Sequence, residues 1–339
     1  MAEPLKEFFS SSSIPIDLVI FDPFVYITAK FARQRQIPVH AFITSNLLSI
    51  PRFVDISIGK DESPVITRTF AQQIVESLSL SDGIICNSIY ELDKTILNHM
   101  HNNSLLNSSV PIRFVAPIIS QSTEHQTTEH IQKWLDNQRN SSSNQLPFII
   151  YISFGSLAVL KPEQLIEIAH ALQNYSVIWS LKSHLQSYLP STFIDNPNHL
   201  LLNWSPQRYI LAQSAIRLFI SHGGWNSLLE SMSAGKIILI WPMFGDQFAN
   251  GYRLETELHV GRLLKNLTST DRQRILSRCE LENYLKDIVE HEQMYAHNAQ
   301  HVQEIIRNAQ ETNRRQSFEE IKQIVDIQRF KRLNQHNEF

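Results

Sequence analysis

The sequence has little cysteine, no long apolar run and no block of one charge sign. Its only two cysteines, Cys86 and Cys279, lie far apart. They allow one bridge at most, and the reading taken is two reduced thiols in a cytoplasmic chain. No run reaches the ~18 apolar residues of a membrane span. The opening Met1-Ala-Glu-Pro-Leu-Lys-Glu has no signal-peptide pattern. Lys plus Arg number 30 against 33 Asp plus Glu, and no basic cluster offers itself to a nucleic acid. The 14 histidines are scattered, and no His/Cys cluster has zinc spacing, so no metal is expected. No G-x-G-x-x-G follows a strand, which argues against a nicotinamide dinucleotide. Asn102, Asn107, Asn140, Asn174 and Asn266 head Asn-x-Ser/Thr triplets, read as chance in a chain rich in Asn and Ser.

What is present is ordinary globular composition, 42% hydrophobic and 19% charged. Short apolar runs alternate with longer helical patterns. Strands are expected at 16–21, 39–44 and 83–87, with helices at 24–35 and 89–100. A second series places strands at 148–154, 177–181, 200–204, 217–221 and 237–241. Its first helix spans 162–172, and a helical pattern runs over 281–327. Such alternation predicts parallel α/β architecture. Residues 119–146, rich in Ser, Gln, Asn and Thr, read as a linker carrying one short helix around Trp134. The organisation expected is a partial N-terminal domain over 1–118, that linker, a complete doubly wound domain over 147–315, and a C-terminal helix and polar tail over 316–339.

The run Ser221-His222-Gly223-Gly224-Trp225-Asn226-Ser227 carries the chemistry. An apolar strand ends in a His-Gly-Gly turn, and a helix follows with Asn226 and Ser227 in its first turn. Backbone N–H groups, the helix dipole, an imidazole, an amide and a hydroxyl then converge where a phosphate would sit. In open α/β sheets ligands bind beyond the carboxyl ends of strands. The turns at 154–157, 203–207, 221–227 and 241–247 all fall there.

From Trp204 to Gln247 the chain resembles the nucleotide-sugar signature of the UDP-glycosyltransferases, the family 1 glycosyltransferases. The pattern is Trp204-x-Pro-Gln207, then His222-x-Gly-Trp225-Asn226-Ser227-x-x-Glu230, then Pro242 and Asp246-Gln247, without a gap. Ser153-Phe-Gly-Ser156, the stretch Cys86–Leu92 and Trp134-Leu-Asp136 are also similar to that family. The fold implied is the glycosyltransferase-B architecture, two Rossmann-like domains, here with an incomplete N-terminal one.

The resemblance implies a role for each residue. Trp204 stacks on uracil, and Gln207 bonds uracil or ribose; alone, Gln207 reads as a surface residue and Trp204 as core. His222, Gly224, Trp225, Asn226 and Ser227 form the diphosphate wall, with Ser156 opposite; Asn226 and Ser227 also fit helix caps. Glu230 accepts from the ribose diol. Gly235 reads as the C-cap of that helix. Asp246 and Gln247 bond the sugar, Gln247 in the manner of glucose-preferring members. Asp22 matches the Asp that orients a catalytic His, and strand-end Asp residues are also often structural.

The implied reaction is inverting transfer of a hexose, glucose by this pattern, from a UDP-sugar to a hydroxyl of a small lipophilic acceptor. The UDP-sugar is a substrate, and no cofactor, metal, nucleic acid or membrane anchor is expected. The catalytic His of the pattern belongs to a first βα loop that this sequence lacks, and Met1 is expected to begin inside the helix before a middle strand. Two readings therefore stand: a UDP-glycosyltransferase whose activity needs the absent segment, and a non-catalytic UDP-sugar-binding protein or fragment. His40 follows a different strand and is not expected to substitute. The pattern encodes no oligomeric state.

Overall fold

The computed structural model of the chain describes residues 15–58, 65–102, 110–115, 117–118, 128–141, 147–156, 158–265 and 274–335, together with Pro4, Glu7 and Phe8. The expected start at Met1, the linker stretches 119–127 and 142–146, Leu157 and the triplets headed by Asn107 and Asn266 lie outside the described residues. The chain divides into two compact units, Met1–Ile118 with Arg307–Phe339, and Ile119–Ile306.

In the first unit, strands β1 (Val19–Phe21), β2 (Val39–Ile43), β3 (Gly83–Cys86) and β4 (Ile112–Phe114) form a parallel sheet in that order. Helices α1 (Ile27–Gln34), α2 (Ser49–Ser57), α3 (Val65–Ser79) and α4 (Tyr90–Asn102) complete the crossovers. Ala29 and Ala32 of α1 and Ile74 and Leu78 of α3 bury against Val39, Ala41 and Ile84. Parallel pairing requires crossovers of this length, which is why each strand is followed by helix.

In the second unit, α5 (Thr128–Ser141) precedes strands β5 (Ile149–Ser153), β6 (Ser176–Ser180), β7 (His199–Leu202), β8 (Ile216–Ser221), β9 (Ile237–Ile240) and β10 (Gly261–Leu263). They pair in parallel in the order β10-β9-β8-β5-β6-β7. Side chains alternate across this sheet: Ile150 and Ile152 enter one core, Ile149 and Tyr151 the other. Burial on both faces explains why these strands read as unbroken apolar runs. Helices α6 (Pro162–Ala171), α7 (Ser183–Gln186), α8 (Ser191–Ile194), α9 (Gln207–Ala212), α10 (Trp225–Ser233) and α11 (Gln247–Thr256) form the crossovers. Helices α12 (Arg278–Glu290), α13 (Glu292–Glu311) and α14 (Asn313–Gln335) follow. Ser277 and Glu280 make a capping box at the start of α12.

Two boundaries differ from those expected. Residues 128–141, read as part of a linker, belong to the second unit. Ile131, Trp134 and Leu135 of α5 are buried in its core, and Trp134 Nε1 donates to Pro197 O at 3.1 Å. The helix expected around Trp134 is thus present, and its i, i+3, i+4 apolar stripe makes it part of the domain and not of a linker. The helical run 281–327 is three helices, and from Arg307 onward it groups with the first unit. There Ser317 Oγ of α14 donates to Phe114 O at 2.9 Å, and Glu320 pairs with Arg113 at 3.0 Å. Among the described residues, no helix is long and apolar enough to cross a membrane.

Candidate functional site

The sheet order fixes where a ligand belongs in the second unit. From β5 the chain runs outward through β6 and β7, then returns to the other side of β5 with β8 and continues through β9 and β10. The reversal opens a crevice beyond the carboxyl ends of β5 and β8, where open α/β sheets take their ligands. The loop 154–156 leaves β5 there, and Ser221-His222-Gly223 leaves β8.

Glycine lets these loops meet. The His222 ring lies against Gly155 and Gly224: a Cβ at Gly155 would stand 3.1 Å from His222 Nε2, and one at Gly224 only 2.4 Å from it. Gly223, at φ +84°, turns the chain where a Cβ would strike Ile240. Burial lowers the His222 pKa below the ordinary imidazole value, against the opposing influence of Asp246 and the Ser153 backbone. The ring is therefore neutral near pH 7, with one N–H to donate, and its Nδ1 has no hydrogen-bond partner among the described residues.

Helix α10 begins at Trp225 with Gly224 as N-cap and no side-chain cap. Its opening amides face the crevice uncapped by any side chain at that position. Trp225 itself is buried, 6% exposed, so its indole packs in the core and its backbone N–H is what it can present. Asn226 is exposed. Ser227 Oγ does not cap the helix; it accepts from Gln207 Nε2 at 3.2 Å. Ala234 is the C-cap, and Gly235, at φ +64°, follows it, one residue later than expected.

Gln207, at the start of α9, is the hub of a second cluster. Its Nε2 donates to Glu230 Oε2 at 2.7 Å as well as to Ser227. Its Oε1 accepts from Tyr151 OH at 3.3 Å, and that hydroxyl shares a 2.6 Å bond with Ser205 Oγ. These bonds fix which way the Gln207 amide faces. Burial raises the Glu230 pKa, opposed by the Gln207 bond and Arg208. Beside this cluster, Trp204 is 64% exposed, so its ring face is open and not part of a core. Tyr151 was not singled out in the sequence because it sits within an apolar strand run.

Asp246 and Gln247 open α11. Gln247 is buried, and its Oε1 accepts from the Met243 and Phe244 amides at 2.7 and 2.9 Å, which fixes the orientation of its amide. Asp246 Oδ2 accepts from Asn250 Nδ2 at 2.9 Å, and the same nitrogen donates to Gly223 O at 3.0 Å. Asn250, missed in the sequence, ties the His222 loop to the Asp246 loop. Its signal was the four-residue spacing from Asp246 on one helix face. Ser156 is exposed, and its carbonyl accepts from Lys182 Nζ at 3.4 Å, a cation also missed.

Asp22 lies in the first unit. Its Oδ1 accepts from Phe24 N at 2.9 Å and caps the 3₁₀ turn Pro23–Val25, a structural use of a strand-end carboxylate. His40 is buried near the start of β2, packed against Gly83 and beside Arg113, away from the strands' carboxyl ends. Among the described residues, no three His, Cys, Asp or Glu side chains gather as a metal site would need.

The family profile described as UDP-glucoronosyl and UDP-glucosyl transferase matches residues 65–310. Anthocyanidin 3-O-glucosyltransferase 7 of Manihot esculenta is 36% identical over 188 residues, 54% of this chain and 62% of that protein. Flavonol 7-O-beta-glucosyltransferase UGT74F1 of Arabidopsis thaliana is 29% identical over 231 residues, 62% of this chain and 48% of that protein. The chain thus matches between about half and three fifths of the length of these curated relatives. Among solved structures, a UGT transferase from Siraitia grosvenorii in complex with UDP superposes with TM-score 0.81 at 23% identity, over 96% of this chain and 86% of that one. UGT71G1 of Medicago truncatula, complexed with UDP-glucose, gives TM-score 0.78 at 22% identity, over 96% and 80%. The shared fold is the glycosyltransferase-B architecture.

Proposed function

The chain belongs to the UDP-glucoronosyl and UDP-glucosyl transferase family, and on that premise we propose that its second unit binds a UDP-sugar beyond the carboxyl ends of β5, β8 and β9. The observation that carries this reading is the Gln207–Glu230–Ser227 cluster beside the open face of Trp204. Uracil stacks on Trp204, and Glu230 takes the ribose hydroxyls. The diphosphate lies between Ser156 and the start of α10, with neutral His222 donating to it. Donors placed in advance at that position stabilise the charge that develops on a departing UDP. Asp246 and the Gln247 Nε2 meet the hexose, glucose in this reading. No step in this reading calls for a metal or a cofactor.

The reaction proposed is transfer of that hexose to a hydroxyl of a small lipophilic acceptor. Flavonols and anthocyanidins come first to trial because relatives carry those names. Donor binding without transfer is the second reading, favoured by the use of Asp22 Oδ1 to cap its own turn.

Calorimetric titration with UDP tests the donor site. The expected result is a loss of about tenfold or more in affinity for Glu230→Ala and for His222→Ala, the scale of a lost charge-assisted hydrogen bond. Unchanged affinity in both variants defeats either reading. UDP release from UDP-glucose with a flavonol present separates the two: acceptor-dependent release supports transfer, and binding without release supports the second.

A further inference from the structure

At the opposite end of the second unit's sheet, by the amino ends of β8 and β9, lies a cavity of about 300 Å³. Ser214, Arg217, Lys236 and Gln300 line it. Lys236, just before β9, is 8% exposed. Its Nζ donates to Gln213 O at 2.9 Å, at the C-terminal end of α9. That bond suits a cation at a helix terminus but uses one of three donors. Among the described residues no carboxylate pairs with Lys236, and the charged group acting on it is Arg217, of like sign.

Arg217 is there because β8 bulges. The pairing of β5 with β8 steps from Ile149↔Ile216 to Ile150↔Leu218, so Arg217 is the extra residue. Bulges re-aim a side chain in this way, often beside a site. Arg217 forms an ion pair with Glu292 at the start of α13. Glu292 thus offsets Arg217, and Lys236 has no carboxylate of its own among the described residues. A buried ammonium without counter-charge is costly, and the cavity beside it has room for one.

We propose that this cavity is a second ligand site, taking the phosphate group of a small phosphoester or inorganic phosphate between Lys236 and Arg217. The Arg217 fork and the Lys236 point charge are both phosphate-binding chemistries. The volume exceeds that of a bare phosphate, which leaves space for a small organic portion against Ala296 and Gln300. Burial and then Arg217 bring the Lys236 pKa down to about 8, and a bound anion reverses the Arg217 part of that effect.

The test titrates UDP-saturated protein with inorganic phosphate and with glycerol 3-phosphate, following the Lys236 side-chain NMR signal across pH. The expected result is a Lys236 pKa that rises with either anion. Affinity should fall by about tenfold or more in Lys236→Met and by several-fold in Arg217→Gln. Tighter binding of glycerol 3-phosphate assigns the site to phosphoesters, and equal binding assigns it to phosphate. An unmoved Lys236 signal, or equal affinity in wild type and both variants, overturns the proposal. Unchanged UDP affinity in Lys236→Met shows that the variant is folded; should it not fold, Arg217→Gln and the wild-type Lys236 signal decide. That signal is also readable without UDP, so failure of the donor-site reading would not be mistaken for failure here.

Discussion

At the scale of single residues, the donor site depends on two missing side chains as much as on those present. Gly155 and Gly224 bound the His222 ring, and they differ in backbone demand. Gly155 sits at φ +73°, so any substitution there adds strain. Gly224 sits at φ −63°, which alanine adopts freely, yet its Cβ would fall 2.4 Å from His222 Nε2. Gly224→Ala therefore displaces the imidazole without a backbone penalty of its own. The expected result is UDP affinity lowered by about tenfold with thermal stability within about 1 kcal/mol of wild type, since the ring can swing toward the open crevice. UDP titration beside thermal melting checks this. Affinity equal to wild type would show that the ring's placement against Gly224 does not matter for the nucleotide.

At the scale of elements, Asn250 holds α11 to the turn after β8. Removing its amide leaves Gly223 O and Asp246 Oδ2 without this donor in a buried setting, and Asn250 is only 2% exposed. Asn250→Ala should cost about 1–3 kcal/mol of stability. Affinity for UDP-glucose should fall more than affinity for UDP, because the loop that moves is the one proposed to carry the hexose contacts. Parallel titrations with the two ligands measure the difference, and equal losses would detach Asn250 from the hexose side. Elements also show what was legible in the sequence. Parallel strands and the donor loops could be read because burial on both faces leaves unbroken apolar runs, and a turn of fixed length joins each run to its helix. Strands β4 and β10 each carry an Arg at their centre, so no apolar run marked them. Helix α5 was expected around Trp134 but assigned to a linker, and the bonds of Tyr151 to Ser205 and of Asn250 to Gly223 join residues that only the fold brings near.

At the scale of the molecule, three histidines in two units couple stability to pH in one direction. Burial lowers the pKa of His40 in the first unit, reinforced by Arg113, and of His199 and His222 in the second. At His199 burial outweighs the bond from Nδ1 to Phe193 O at 2.8 Å, which by itself raises the pKa. An unfolded histidine takes its proton near pH 6.5, whereas these accept theirs only at lower pH. Between the two values the unfolded chain binds more protons, so stability falls as pH drops through about 6.5 and levels off below the folded pKa values. Glu230 acts in the opposite sense: its raised pKa lets the folded form gain a proton before the unfolded one as pH falls toward about 4.3. One carboxyl against three imidazoles leaves the net slope positive between about pH 5.5 and 7. Calorimetric melting across that interval should show the midpoint falling with pH, and His40→Gln should flatten the trend by the share of one proton. A midpoint independent of pH would mean that the buried imidazoles are protonated in the folded chain as readily as in the unfolded one. His222 would then take its proton near pH 6.5, and its contribution to UDP binding would strengthen below that pH as an ion pair, where a neutral donor would not.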